Sequence, residues 1–426
     1  MSDPIQTRLQ EAIRLTTEAL NMYSAPVISV SRGASLQVAI DKAPDGATLS
    51  IEPGVYQGSL NIPKPLTMMT SVLLPPGRVS SLTPMVTVIG SQAADAISVP
   101  GSRVSMQGIG ASSPDPSRQL VGVTGSQFSM KQCSLVGDTN SGQHRGLMLN
   151  GDTALIGDCF IDNCFSVGRD AQAIGGWDGT KNITIDNCYL GGGGQSVMWG
   201  GADSTSSDRI PTNIAISRST LSKNQKWFGL GAQIKCALEL KAVKGIVVRD
   251  CLMEWAGISG GQGAYILVFT VRNQDGRAPW STIKGVLVEN CIARYGGGAV
   301  NVLGFDNNNP SDTMDNVVVR NVAFSQIDPL GPTGGAGRGI LIDGGPKNLT
   351  FENVTIDGKN LGASMYLIPN PKPTGLVLRN LKLAASTYGM KIDGGGMGVP
   401  AWQQLMPDAV IVDTPNGTGA SLGPTS

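Results

Sequence analysis

One histidine, His144, serves a chain of 426 residues. Any serine–histidine–acid triad would have to be built on it. Its surroundings, Ser141-Gly142-Gln143-His144-Arg145-Gly146, form a turn with no nucleophile elbow beside it. Charge is also scarce, at 15% of residues, and 32 basic side chains balance 32 acidic ones. A neutral chain without a basic stripe lacks the electrostatic footprint of a nucleic-acid binder. No apolar run reaches the roughly 18 residues of a spanning helix, so no membrane insertion is expected. The opening Met1-Ser2-Asp3-Pro4 carries neither the charged leader nor the apolar core of a secretory signal. Synthesis in the cytoplasm is the expectation, with a virion surface or the extracellular space reached by lysis or a specialised route.

Glycine is what the chain has in quantity: 57 residues, with 25 prolines. Collagen's three-residue glycine period is absent, and 41% hydrophobic content is too high for disorder. An all-β protein with very many turns remains, each turn needing a residue that tolerates unusual backbone angles. A nine-residue phrase then recurs, represented by Asn182-Ile183-Thr184-Ile185-Asp186-Asn187-Cys188-Tyr189-Leu190. Other copies begin at Gln127, Asn213, Gly245, Gly285, Asn316, Asn348 and Gly375, and a blurred one spans Asp152 to Phe160. Its order is polar or glycine, apolar, polar, apolar, polar, Asn-like, small or apolar, variable, apolar. Alternation with period two makes each phrase a strand with one buried face, and the regular recurrence makes the chain a solenoid.

A second strand precedes most phrases, as in Ala237-Leu238-Glu239-Leu240, Tyr265-Ile266-Leu267-Val268 and Ala299-Val300-Asn301-Val302. Such a unit cannot bury its apolar face alone; stacked coils cover one another, and parallel pairing satisfies their backbone groups. The expected fold is an all-β, right-handed parallel β-helix over residues 34–400, a three-sheet prism of single strands. Residues 1–33 read as an amphipathic helix at 5–23 and a lead-in, serving as cap or attachment. A short helix at Leu36–Ala43 should cover the first coil. Residues 401–426 read as a C-terminal cover from Trp402 to Leu405, then loose chain from Thr414 onward. The frame between residues 60 and 120 is not legible. Cys133, Cys159, Cys188, Cys251 and Cys291 share one phase of the repeat, which predicts an inward ladder of reduced thiols rather than a converging metal site.

The entrance segment Leu36 to Tyr56 and the coil Ala237 to Val248 resemble the pectate-lyase-like superfamily of right-handed β-helices, which includes phage tailspikes and polysaccharide lyases. The resemblance implies a polysaccharide bound along one outer face, and for tailspikes a homotrimer and partners in the phage tail or virion. On that footing the leading expectation is a tailspike-like protein that binds, and in one version degrades, host surface polysaccharide. The alternatives are a bacterial polysaccharide lyase or glycoside hydrolase, and a structural assembly protein without a ligand. The catalytic arginine motif and aspartate cluster of pectate lyases are not recognisable in this sequence.

For chemistry, carboxylates are the candidates. Glycoside hydrolysis needs two, and stacked coils about 4.8 Å apart can present acids at suitable separations. Glu239, Glu254, Asp275 and Asp306 are the candidate catalytic acids. Arg272 and Arg277 are the residues placed to meet a charged sugar, and a lyase would add calcium held by acids; outside that case no cofactor is expected. Five of the six tryptophans fall between 177 and 280. Trp199, Trp227, Trp255 and Trp280 are candidate platforms for sugar rings, with glycines such as Gly191–Gly194 and Gly260-Gly261 letting loops lie close.

Overall fold

The computed structural model describes residues 25–81, 83, 85–259 and 263–417. The helix expected at 5–23, the Gly260-Gly261 pair and the tail beyond residue 417 lie outside the described residues.

The chain is a parallel β-helix with three faces. Each phrase supplies two of them. Its residues two to five form a strand of the first face, and residues eight to ten a strand of the second. In three coils the two strands run together, as Ile283–Gly296, Asp315–Ile327 and Lys347–Gly358, so the two faces merge into one sheet of 22 strands. The third face is a separate ladder of 12 strands. It contains the second strands read from sequence, now Cys236–Leu240, Tyr265–Thr270, Gly298–Leu303, Arg338–Asp343, Ala363–Leu367 and Met390–Ile392. Pairing between coils is parallel and keeps the phrase in phase: Ile183 lies on Ile214, Ile214 on Ile246 and Ile246 on Val286. All four point inward and are buried, at about 1.5–3 kcal/mol for each aliphatic side chain removed from water.

The phrase's two special positions have one cause. Residue one and residue six both take left-handed backbone angles, with φ of 54° at Asn182 and 50° at Asn187. The pattern repeats at Gln127 and Gln132, Gly245 and Asp250, and Asn316 and Asn321. Glycine and asparagine are the residues that reach this region at least cost, which is why the positions read as polar or glycine. At residue six the side chains also bond along the stack: Asn353 donates to Asn321 (2.9 Å) and Asn380 to Asn353 (2.7 Å). The thiol at residue seven points inward and donates to the carbonyl two residues back, as Cys188 does to Asp186 and Cys291 to Glu289. All seven cysteines are buried and unpaired.

Three sequence readings change. The blurred phrase starts at Thr153, not Asp152: Thr153 and Asp158 are its left-handed pair, and Ala154 pairs with Ile183. Residues 60–120 do follow the frame, with Val104–Gln107 on the first face and Ile109–Ser112 on the second. What hides the frame is an excursion at residues 71–85, inserted at the corner between Leu66–Thr70 and Val86–Ile89. This strap lies over the second face. Leu74, Val79 and Met85 pack there with Phe160, the Val79 amide donates to the Asp158 carbonyl (3.1 Å), and Arg78 reaches the Cys188 carbonyl (3.2 Å) and the Thr220 hydroxyl (3.3 Å). Thr414–Gly417 is not loose either, since the carbonyls of Asn416 and Gly417 accept from Met390 and Ser386.

Both ends are closed. Helix Leu36–Lys42, capped by the Ser35 hydroxyl on the Val38 amide (3.3 Å), buries Leu36 and Ile40 at the first coil. At the other end helix Gly398–Leu405 buries Trp402. No described helix is long and apolar enough to cross a membrane.

Candidate functional site

The third corner of the prism, where the second face hands over to the third, is irregular. Loops 223–235, 255–264 and 328–337 are long, whereas Gly297 alone separates Ile283–Gly296 from Gly298–Leu303. A Cβ on Gly297 would fall 2.0 Å from the Gly334 carbonyl oxygen, so loop 328–337 folds directly onto this coil. Residue eleven of the phrase sits at this corner and is again left-handed at Trp255, Tyr295 and Gln326 (φ 66°, 66° and 55°). That conformation turns consecutive side chains outward in register. Trp255 and Tyr295 stack at 4.3 Å between ring centroids, 15° from parallel, and Phe228 meets Trp255 edge-on at 6.3 Å.

The row then stops. Gln326 replaces an aromatic, and Gly358 occupies the same position one coil on. The gap is a cleft of about 460 Å3 whose lining includes Trp255, Tyr295, Asp328, Thr333, Asp357 and Lys359. Asp328 is fixed at its wall: it accepts from the Asn360 amide (2.9 Å) and the Leu330 backbone N–H (3.1 Å), with Lys359 at 3.5 Å. The Asn360 hydrogen bond chiefly holds its carboxyl below the usual range. Beside the aromatics, Arg294 pairs with Glu254 (2.5 Å), and Ser222 donates to the same carboxylate (3.2 Å).

The third face carries a second polar assembly, a relay across four coils. Arg145 stacks on Trp177 at 5.0 Å and donates to Gln172 (3.3 Å); Gln172 donates to Gln195 (2.9 Å); Gln195 donates to Glu239 and to Asp170 (3.1 Å). Lys235 pairs with Asp170 (2.7 Å) and Lys241 stands 3.8 Å from Glu239. Burial alone would raise the Asp170 pKa, but Lys235 holds it below the ordinary carboxylate range. Gln172, Gln195 and Glu239 are fully buried, so the centre of this relay locks coils together, while Arg145, Trp177, Asp170 and Lys235 at its edge are half-buried. His144, beside it, is pushed down to about 4 by burial and by Arg145 and Arg169, and is neutral at physiological pH.

The residues read from sequence therefore divide. Glu239 does leave its strand on the side away from the core, as the alternation of Leu238 and Leu240 implies, yet it is covered. Trp199 is wholly inside the prism, and Trp227 is buried against Phe165 at 5.1 Å; neither offers a face to a sugar. At the corner between the third and first faces, Arg272 pairs with Asp306 (3.3 Å) and Arg277 with Asp275 (2.8 Å), while Trp280 donates to Ser204 (3.0 Å). Asp306 is buried and accepts from the Asn273 amide (2.7 Å), which makes it a loop brace. Glu254 and Trp255 lie on the opposite corner, so the four acids are not gathered at one bond. Only Trp255 and its neighbour Glu254 belong to the cleft's surroundings. Tyr295, Asp328 and Asp357 were missed, although Tyr295 stands at the same phrase position as Trp255. Among the described residues no three His, Cys, Asp or Glu side chains gather as a metal set.

No protein-family model and no curated protein matches the sequence. Solved structures with a similar winding exist. A mannuronic acid-specific polysaccharide lyase of family 6 from the human gut microbiota is 11% identical over 84% of this chain and 82% of its own, with a TM-score of 0.47. The Dettilon tailspike protein is 12% identical over 91% and 68%, TM-score 0.49. The catalytic domain of an α-1,3-glucanase is 12% identical over 93% and 69%, TM-score 0.47. Likeness at this level carries no argument about chemistry, and the cleft has to speak for itself.

Proposed function

We propose that this protein binds an extended polysaccharide, with sugar rings seated in the cleft beside Trp255 and Tyr295. The observation that supports the reading is the stacked aromatic pair standing in the wall of an open cleft of mixed apolar and polar lining. Aromatic edges and faces receive the apolar C–H surface of a sugar ring, while carboxylate, hydroxyl, amide and ammonium groups meet its hydroxyls. The long axis of the solenoid suits a polymer, because each coil repeats the same surface one step further on.

Asp328 in this cleft is not poised as a general acid. A general acid must hold its proton near the working pH, and Asp328 is kept ionised by its donors. Affinity electrophoresis through gels containing a range of bacterial, algal and plant polysaccharides tests the reading. The protein should be retarded by at least one of them, and Trp255→Ala should weaken the retardation about tenfold without unfolding the chain. Free migration in every gel would sink the proposal. Release of reducing ends during the same incubations would replace a binder by an enzyme.

A further inference from the structure

The charges around the cleft restrict what it accepts. Two carboxylates, Asp328 and Asp357, line it against one ammonium, Lys359. That ammonium is already placed at 3.5 Å from Asp328. The nearest guanidinium, Arg294, is bound to Glu254 by two donors, its Nε at 2.7 Å and a terminal nitrogen at 2.5 Å. Asp357 is exposed, and no described residue forms a salt bridge or hydrogen bond with its carboxylate. A uronate entering here would meet two carboxylates and only cations that already have partners, Lys359 with Asp328 and Arg294 with Glu254. An ammonium group would find the Asp357 carboxylate waiting in the cleft; the Tyr295 ring already carries the Arg294 guanidinium, 5.3 Å from its centroid, so charge rather than a ring face supplies the attraction.

From this charge arrangement we infer that the glycan seated between Tyr295 and Asp357 carries basic 2-amino sugar units and that uronate polymers are rejected. The inference rests on the polysaccharide-binding reading above and narrows it. Asp357 is the selecting group, set by its place at residue ten of its phrase, one position before the glycine that opens the cleft. Asp328 shapes the wall and pairs with Lys359, which lines the cleft beside it.

Three β-1,4-linked hexasaccharides of the same backbone test it: the neutral glucose oligomer, the glucosamine oligomer with its amine at C2 and the glucuronate oligomer with its carboxylate at C6. Each is titrated calorimetrically into the full chain at a mildly acidic pH that protonates the amines. The glucosamine oligomer should bind at least tenfold more tightly than the neutral one, and the glucuronate oligomer more weakly than either. Asp357→Asn should erase the preference, bringing the affinity for the glucosamine oligomer down to that for the neutral one. Raising the salt concentration should weaken the amino-sugar complex selectively. Equal affinity for the neutral and amino oligomers, or a preference for glucuronate, overturns the amino-sugar assignment while the polysaccharide reading stands. If none of the three binds, polymer gels containing chitosan, a neutral glucan and an alginate decide. Retardation by chitosan ahead of the other two upholds the inference, and retardation by alginate first overturns it. No retardation in these gels or in the wider panel removes both proposals.

Discussion

The first and third corners of the prism use the same backbone device for opposite ends. At the corner between the first and second faces, each phrase turns on a single left-handed residue, and no described copy after residue 100 carries an insertion there. The side chains at that corner bond to one another, Asn380 to Asn353 and Asn353 to Asn321. At the corner between the second and third faces the left-handed residue is Trp255, Tyr295 or Gln326, and the loops beside it range from one residue to more than ten. A corner whose side chains satisfy each other is repeated unchanged. A corner whose side chains face outward is free to vary, and the cleft forms where that variation leaves a gap.

Substitutions can break this contrast, and the largest effect is expected at Gly297. Gly297→Val would drive a side chain into the Gly334 carbonyl and the Gly335 backbone. It should cost about 3 kcal/mol in urea denaturation and abolish glycan retardation with it. Asn321→Val comes next. It places a β-branched residue at φ 53° and removes two ladder hydrogen bonds, a loss of about 2 kcal/mol; Asn321→Gly should lose less, because only the hydrogen bonds go. Trp255→Ala should reverse the order of consequences. Glycan affinity falls about tenfold, or about 1.4 kcal/mol, while the melt moves by less than it does for Asn321→Val.

A further contrast is a slope with pH, small over any one unit. Lys223 occupies residue eleven of its phrase, as Trp255 and Tyr295 do of theirs, but it turns inward and donates to the carbonyls of Gly192 (2.6 Å) and Cys236 (2.7 Å). Burial pushes its pKa down to about 7, against about 10.4 for the unfolded chain. Between those values the unfolded state binds more protons, so stability rises with pH, by about 1 kcal/mol per unit. Denaturation from neutral to alkaline pH should show that rise in the native chain and a flatter profile in Lys223→Met. An unchanged slope in the variant would assign the titration elsewhere.

The solenoid was legible because its physics is local. Period-two alternation, a left-handed residue at positions one and six, and cysteines in one phase are all written in the phrase itself. The early third-face strands, such as Gln172–Gly176 and Gln195–Trp199, escaped because glutamine, glycine and serine take many of their places, whereas Cys236–Leu240 and Tyr265–Thr270, equally buried on both sides, keep runs of aliphatic residues. The frame near residue 80 escaped because the strap interrupts it. The cleft was half legible: Trp255 stood out as an aromatic after an apolar strand, whereas the burial of Trp199 and Trp227 depends on the path of distant loops. Glu239 illustrates the limit. Alternation gives its direction correctly, yet its burial comes from a relay through Gln195 that only the stacking of coils creates.

The strap at residues 71–85 bears on how the molecule comes apart. A stack of coils that touch only their neighbours can fray from either end, one rung at a time. Here Arg78, leaving an early coil, is fastened to the Cys188 carbonyl and the Thr220 hydroxyl, 110 and 142 residues further along the chain. Rungs that share no edge are thereby made to open together. The N-terminal half should melt as one cooperative block, with its threshold set by the strap rather than by its weakest rung.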